Sequence, residues 1–462
     1  VIHSIMKKTV VINVVGLTQR LIGEYTPFIK TFLEKGKAAT ISPVLPAVTC
    51  SAQSTYLTGV NPAEHGVVGN GWYFKEECEV KFWRQSNKLV ESEKLWEKLK
   101  KIDANFTCAN LFWWYNMYST ADYSVTPRPN YLADGRKIPD VYSHPSNLRD
   151  KLQSNLGTFP LFNFWGPKTS IKSSQWIADA AIETDKLYNP TLNLIYLPHL
   201  DYNLQRYGLN FDIIAKDLQE IDAVVKQLVT YYEATDTNII LLSEYGITNV
   251  NNPIHLNRVL RKEGYISIRT ERGLELLDAG ASKAFAVADH QLAHIYLNDI
   301  TLKAEIKELL QKVKGVEKVL SDDEIAVAKL NHDRCGDLVV VADADSWFTY
   351  YFWLDDKKAP DYARMVDIHK KPGYDPVEML TNPKDKLVLL KVAWKLLKKK
   401  LGFRTVLDII PLDANLIKGS HGRVPEDVAD HPIFITNNKT KIEKENIEAT
   451  EVYTILENHL LN

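Results

Sequence analysis

Cysteine is scarce in this chain: four in 462 residues, at Cys50, Cys78, Cys108 and Cys335, with no CxxC pair. That spacing builds neither a disulfide framework nor a zinc ribbon, and reduced thiols are the expectation. An excess of charge of either sign is also missing. Lysine and arginine number 56 against 58 aspartate and glutamate, for a formal net charge of -2. A protein built to hold a nucleic-acid backbone over a broad face would carry a basic surplus, so nucleic acid is not an expected partner. No run approaches the length of apolar residues that a transmembrane helix needs, so no membrane span is expected. Internal repeats and low-complexity tracts are not found either.

What is present suits a large buried core: 45% apolar and 25% charged residues. The length leaves room for about three domain-sized units, or for one large α/β core with insertions. The stretch VIHSIMKKTVVINVVG carries a short β-branched run with no small-residue cleavage site. It reads as a first strand and not as a secretion signal, which leads to the expectation of a cytoplasmic protein. Residues 1–5 are read as preceding a start at Met6, so the domain is taken as 6–462.

Thr9 to Val15 should be a strand buried on both faces, ending at Gly16. Thr26-Pro27 opens a helix with Phe28, Ile29, Phe32 and Leu33 on one side, closed by Gly36. Further strands are expected at Leu192–Leu197, Asn238–Leu242, His294–Leu297 and Leu338–Val341. A helix capped by Asp212 carries Ile214, Leu218, Ile221, Val225 and Leu228 on one stripe. Strands alternating with helices predict an α/β fold: a mostly parallel central sheet with helices on both faces. Residues 70–190, rich in Trp, Tyr, Asn and Pro, are expected to form an aromatic-rich, loop-rich insertion over one edge. Residues 342–383 have a similar composition. Lys384–Leu401 reads as a basic amphipathic helix with Leu387, Leu390, Trp394, Leu397 and Leu401 as its stripe. Such a stripe ordinarily faces a core, so packing on the sheet is expected ahead of a membrane-surface role.

In open parallel sheets the reactive polar groups gather at the carboxyl ends of strands. Thr49 stands there, at the mouth of a short helix, where the dipole and free N–H groups favour an anion; alone, it could equally be a simple cap. The block around it, PVLPAVTCSAQSTYLTGVNPAEHGVVGN, resembles the nucleophile region of the type I phosphodiesterase/nucleotide pyrophosphatase family of the alkaline phosphatase superfamily. TPFIKTFLEKG, KLWEKLKK, LIYLPHLD, IILLSEYG and a late GSHG extend the likeness over most of the chain, in the family's order.

The resemblance implies an alkaline-phosphatase-like core and a hydrolase acting on phosphoesters or phosphodiesters. It implies two metal ions, usually zinc, beside a Thr or Ser nucleophile. Thr49 falls on the nucleophile and Asn70 on an asparagine that steadies a phosphoryl oxygen. Asp201 falls on the aspartate of a DxxxH metal motif, and His421 on the late histidine ligand. Four positions depart. Val15 replaces an aspartate, Gln205 the histidine of DxxxH, and Glu244-Tyr245 an Asp-His pair. Valine cannot ligate, and Gln and Tyr are weak ligands beside imidazole. The implied metal set shrinks to Asp201, Gln205, Glu244 and His421. One divalent ion, or none, is expected in place of two, and the oxygen-rich set suits Mg²⁺ or Mn²⁺ better than Zn²⁺.

Other polar groups near strand ends could replace lost metal charge or hold substrate: Asp289 and His290, His369, and Arg334, with Lys371 beside them. Each alone is ordinarily structural, since a ligand or catalytic role needs convergent partners. His65, in the AEHG turn, reads as structural. Trp72, Phe82, Trp83, Trp113, Trp114 and Tyr115 could form an apolar wall for a substrate or belong to the core. Three functions stay open: a phosphoester hydrolase on a small phosphorylated or anionic molecule, an anion-binding pseudoenzyme, or a biosynthetic enzyme of altered chemistry that uses the His/Asp clusters.

Overall fold

The β-branched run after Lys7-Lys8 forms the middle of a nine-stranded sheet in the computed structural model, which describes residues 6–383, 385–403 and 405–461. Residues 1–5, ahead of the expected start at Met6, and Lys384, the expected first residue of the basic helix, lie outside the described residues. Every residue of Thr9–Val14 is buried, as a strand covered on both faces requires. Across the sheet the strands run Asn446–Glu448, Lys37–Ser42, Ile433–Thr436, Asn238–Leu242, Thr9–Val14, Leu192–Leu197, Cys108–Leu111, Tyr123–Pro127 and Val141–His144. The five from Asn238–Leu242 to Tyr123–Pro127 are mutually parallel. Ile433–Thr436 and Val141–His144 join antiparallel. Helices Pro27–Lys35, Ile171–Tyr188, Phe211–Glu233 and Glu451–Leu460 pack around the sheet and close its core.

Two expected strands sit elsewhere. His294–Leu297 and Leu338–Val341 do not join the parallel sheet; extended slightly, they belong to a separate four-stranded antiparallel sheet. Its order is Ala284–Asp289, Leu292–Leu297, Leu338–Ala342, Val316–Ser321, with its own apolar core. The reason is local. Asp289 pairs with Leu292, leaving a two-residue turn, His290-Gln291, which permits a hairpin but not the long crossover a parallel pair needs.

Residues 70–190 likewise do more than cap an edge. The hairpin Gly71–Phe74 with Glu79–Phe82 packs against the smaller sheet, whereas Cys108–Leu111, Tyr123–Pro127, Val141–His144 and the helix Ile171–Tyr188 build the main layer.

The basic helix runs over Val388–Lys400 and is not packed on the sheet. Leu387, Leu390, Trp394, Leu397 and Leu401 are all exposed, as are Leu389 and Phe403. Among the described residues, no helix is long and apolar enough to cross a membrane, and all four cysteines are unpaired.

Candidate active site

The parallel strands deliver their polar residues to one end, as the topology demands. Val15 follows the Thr9–Val14 strand directly. After Lys37–Ser42 the chain crosses to the helix Thr49–Thr58, of which Thr49 is the first residue. Leu192–Leu197 leads through Pro198 into the helix His199–Tyr207, which places Asp201 in its first turn and Gln205 one turn later on the same face. Glu244 and Tyr245 come just past Asn238–Leu242. His421 lies in a loop that packs closely on the Asp201 helix. A Cβ at Gly419 would stand 2.0 Å from the Leu204 carbonyl, so only glycine allows that approach.

These side chains form one buried cluster with a directional hydrogen-bond path. The Tyr245 hydroxyl donates to Asp201 Oδ1 at 3.1 Å and lies 3.3 Å from Thr49 Oγ1. Because the tyrosine proton points at the carboxylate, the threonine hydroxyl is the donor in the second bond. The path therefore runs from Thr49 to Tyr245 to Asp201. Gln205 Nε2 donates to the other oxygen of Asp201 at 2.8 Å. Burial pushes the Asp201 carboxyl up to about 7, against the lowering effect of its two donors. Burial raises Glu244 to about 8 although Gln53 and Asn13 both donate to it. The Tyr196 phenol also faces Thr49.

The smaller sheet contributes the rest. Asp289 and His290 stand at its hairpin turn, and His290 takes a φ of 62°, in the left-handed region, at a turn position that usually needs glycine. Its ring lies between Tyr374 (centroids 3.7 Å apart) and His421 (3.8 Å). His421 in turn stacks on Tyr245 at 3.5 Å and an interplanar angle of 5°. His290 Nδ1 is 2.9 Å from Asp289 Oδ1, and His421 Nδ1 is 2.7 Å from the Ala47 carbonyl. A carbonyl can only accept, so Nδ1 of His421 carries the proton; the carboxylate assigns His290 in the same way. Each Nε2 then presents a lone pair. Burial holds both imidazoles well below their ordinary pKa, in the neutral form.

Asn70 joins the two sheets. Its backbone N–H and its side-chain amide donate to the two oxygens of Asp289 at 2.7 and 3.1 Å, while its carbonyl oxygen accepts from the Cys50 N–H at 3.0 Å. With these bonds helping against burial, Asp289 sits at about 6.

The structure thus brings together Thr49, Asn70, Asp201, Gln205, Glu244, His421, Asp289 and His290. Arg334 and His369 stay outside. The Arg334 guanidinium donates to the carbonyls of Gly66 and Leu89, pairs with Glu91 and covers the Trp72 ring, which fixes it as a structural clamp. His369 is exposed and lies beside Tyr131. Lys371 is fully buried against Asp375 and Glu378. His65 is structural, between Thr55 and the Val67 N–H.

Three contributors carried no readable signal or a faint one. Asn13 was visible as a polar residue inside an apolar strand. Gln53 lies on a wholly buried helix, and Tyr374 belongs to an irregular segment. The aromatics divide. Trp72, Phe82 and Trp113 are core, while the partly exposed Trp83 and Trp165 border Tyr374 at 6.0 and 5.9 Å.

The profile of the type I phosphodiesterase/nucleotide pyrophosphatase family matches residues 9–375. The chain belongs to this family. An ectonucleotide pyrophosphatase/phosphodiesterase of Caenorhabditis elegans is 21% identical over 311 residues, which is 66% of this chain and 34% of the worm protein. The chain thus spans about a third of that relative's length. Among solved structures, murine ectonucleotide pyrophosphatase/phosphodiesterase 5, an inactive form in complex with AMP, superposes with a TM-score of 0.59 at 16% identity, covering 99% of this chain and 96% of that one. Phosphonoacetate hydrolase from Sinorhizobium meliloti, in complex with phosphonoformate, gives 0.62 at 14% identity, covering 99% and 97%. At these identities the superpositions establish the fold.

The donor set decides which of the family's two metal places this chain could fill. The place that would use position 15 does not fit. Val15 has no donor, the Tyr245 hydroxyl is engaged by Asp201 and Thr49, and Glu244 has only Oε2 without a partner, its Oε1 being taken by Asn13 and Gln53. Among the described residues, no three acids or histidines of this cluster bring ligand atoms within 4.8 Å of one another. The other place retains Asp201, Gln205 and His421. His421 Nε2 is buried without a hydrogen-bond partner, 3.9 Å from Asp201 Oδ1, a separation an ion between them would span.

Proposed function

We propose that this chain is a phosphoester hydrolase in which Thr49 attacks phosphorus and a side-chain relay, in a thinned metal centre, takes over part of the work of the metals. One observation carries the reading: His290 Nε2, His421 Nε2 and Glu244 Oε2 are all buried without a partner in a single cluster linked to Thr49. Each such atom costs about 1–3 kcal/mol to leave unpaired, so three together signal a place built for a ligand.

Thr49 Oγ1 forms the new bond to phosphorus as the bond to the leaving oxygen breaks. The Thr49 proton passes to Tyr245, and the Tyr245 proton to Asp201. The leaving oxygen takes a proton from solvent; water then attacks phosphorus and gives a proton to solvent as the bond from phosphorus to Thr49 Oγ1 breaks, and Asp201 returns its proton through Tyr245 to Thr49. A base near neutrality suits this task, and burial has brought Asp201 to about 7. A phosphoryl group seated here would meet the helix N-terminus at Thr49 and, if Asn70 turned from Asp289, its amide. One divalent ion held by Asp201, Gln205 and His421 would polarise a phosphoryl oxygen. A substrate with an aromatic group would suit Trp83 and Trp165, in keeping with the AMP of the murine relative. A cytoplasmic setting completes the proposal and rests on the unpaired cysteines.

A second reading is a non-catalytic anion-binding protein. It is favoured by closure of the site: Thr49 is 3% exposed, and the Asn70 amide is engaged by Asp289. Turnover of bis-p-nitrophenyl phosphate, measured with Mg²⁺, Mn²⁺, Zn²⁺ or a chelator, separates the two. Hydrolysis that disappears in Thr49→Ala is expected. Phosphate binding without turnover under any of these conditions would overturn the hydrolase reading.

A further inference from the structure

We propose that the Val388–Lys400 helix docks this protein on an anionic lipid surface. The helix lies past residues 9–375, the part matched by the family profile, and the core does not use it. Its apolar stripe recurs every three or four residues, and Leu390, Trp394 and Leu401 are 66%, 57% and 65% exposed. A side chain of that kind standing in water gives up the stabilisation that burial would bring, and a contiguous row of them marks an interaction surface.

The charge pattern selects the occupant. Residues 384–400 hold seven lysines and one acid, Asp385, and no further acid follows until Asp408. Lys391 is paired with Asp385 and Lys395 with Asp408. Lys386, Lys398 and Lys400 are exposed and make no ion pair among the described residues. Lys398 lies over the Trp394 ring at 5.3 Å. A second copy of the chain would set this basic row against another, because acids that would pair across a helix dimer are missing from the segment. An anionic bilayer offers the complementary charge and takes the apolar stripe at its headgroup boundary. Thirteen residues make a helix about 20 Å long, which fits lying in the membrane plane and is too short to cross it.

The test is co-sedimentation of the whole protein with vesicles of 70:30 phosphatidylcholine:phosphatidylserine and of phosphatidylcholine alone, with light scattering to give the oligomeric state. Expected are binding to the mixed vesicles, at least tenfold weaker binding to the neutral ones, and further weakening in 0.5 M salt. The double variant Leu390→Glu/Trp394→Glu, at exposed positions, should lose at least tenfold while keeping the wild-type circular dichroism spectrum. Lys398→Glu/Lys400→Glu should lose roughly fivefold or more per lysine. Absence of binding, equal binding to both vesicles, or a solution dimer that Leu390→Glu/Trp394→Glu dissolves would overturn the proposal. None of these readouts depends on the catalytic reading.

Discussion

Tyr245→Phe removes one oxygen atom and tests the relay directly. The hydroxyl lies 3.3 Å from Thr49 Oγ1 and 3.1 Å from Asp201 Oδ1, so without it the threonine proton has no path to the carboxylate. The phenylalanine ring keeps the stack on His421, and the fold should survive. Leaving one oxygen of Asp201 short of a partner costs about 1–3 kcal/mol of stability. Loss of general-base assistance costs roughly a hundred- to ten-thousand-fold in rate, equivalent to about 3–5 kcal/mol in the barrier. In the ion-free protein the wild type should also lose activity as pH falls through about 7, because a protonated Asp201 cannot accept. That limb should disappear from the residual activity of the variant. Initial rates on bis-p-nitrophenyl phosphate between pH 5 and 9 provide the measurement. A variant that keeps more than a third of the rate, with the acid limb intact, would show that the proton leaves Thr49 by another route.

Two further outcomes concern stability. Burial lowers the His65 pKa to about 3, while its unfolded value is near 6.5, so the unfolded chain binds the extra proton between those values. Its contribution is present above pH 6.5 and is lost as pH falls towards 3, amounting to about 2 kcal/mol at pH 5. Urea unfolding at pH 7 and pH 5 should show that loss and should show less of it in His65→Gln; an identical loss in the variant would assign it elsewhere. Lys371→Met would strip the partner from the fully buried Asp375 and Glu378, for a destabilisation of about 3–5 kcal/mol. A shift in the denaturation midpoint too small to account for 1 kcal/mol would contradict that burial.

Much of the site was legible because ligands in parallel sheets sit where strands end, and those ends were marked by β-branched runs. Asp201, Glu244 and Tyr245 each follow such a run within a few residues, whereas Thr49, seven residues past Ser42, was legible from the block around it. Val15 was as informative for what it lacks. The strands of the second sheet look like those of the first in sequence, and only the two-residue spacing between Asp289 and Leu292 marks a hairpin. Gln53 and Tyr374 stayed hidden because convergence in space leaves no periodic trace. An apolar stripe is the same whether it meets protein or something else, so the sequence of the basic helix predicts a core-facing side that the fold leaves exposed.

The seam between the sheets has one more consequence. Thr49, Asp201 and Tyr245 follow strands of the larger layer, while Asp289 and His290 ride on a tight turn of the smaller one. A shift of one layer against the other would therefore change the spacing between the imidazole and the hydroxyl. The bonds that keep the layers in register, those of Asn70 foremost, thus also set the distance between the groups that would act on a substrate.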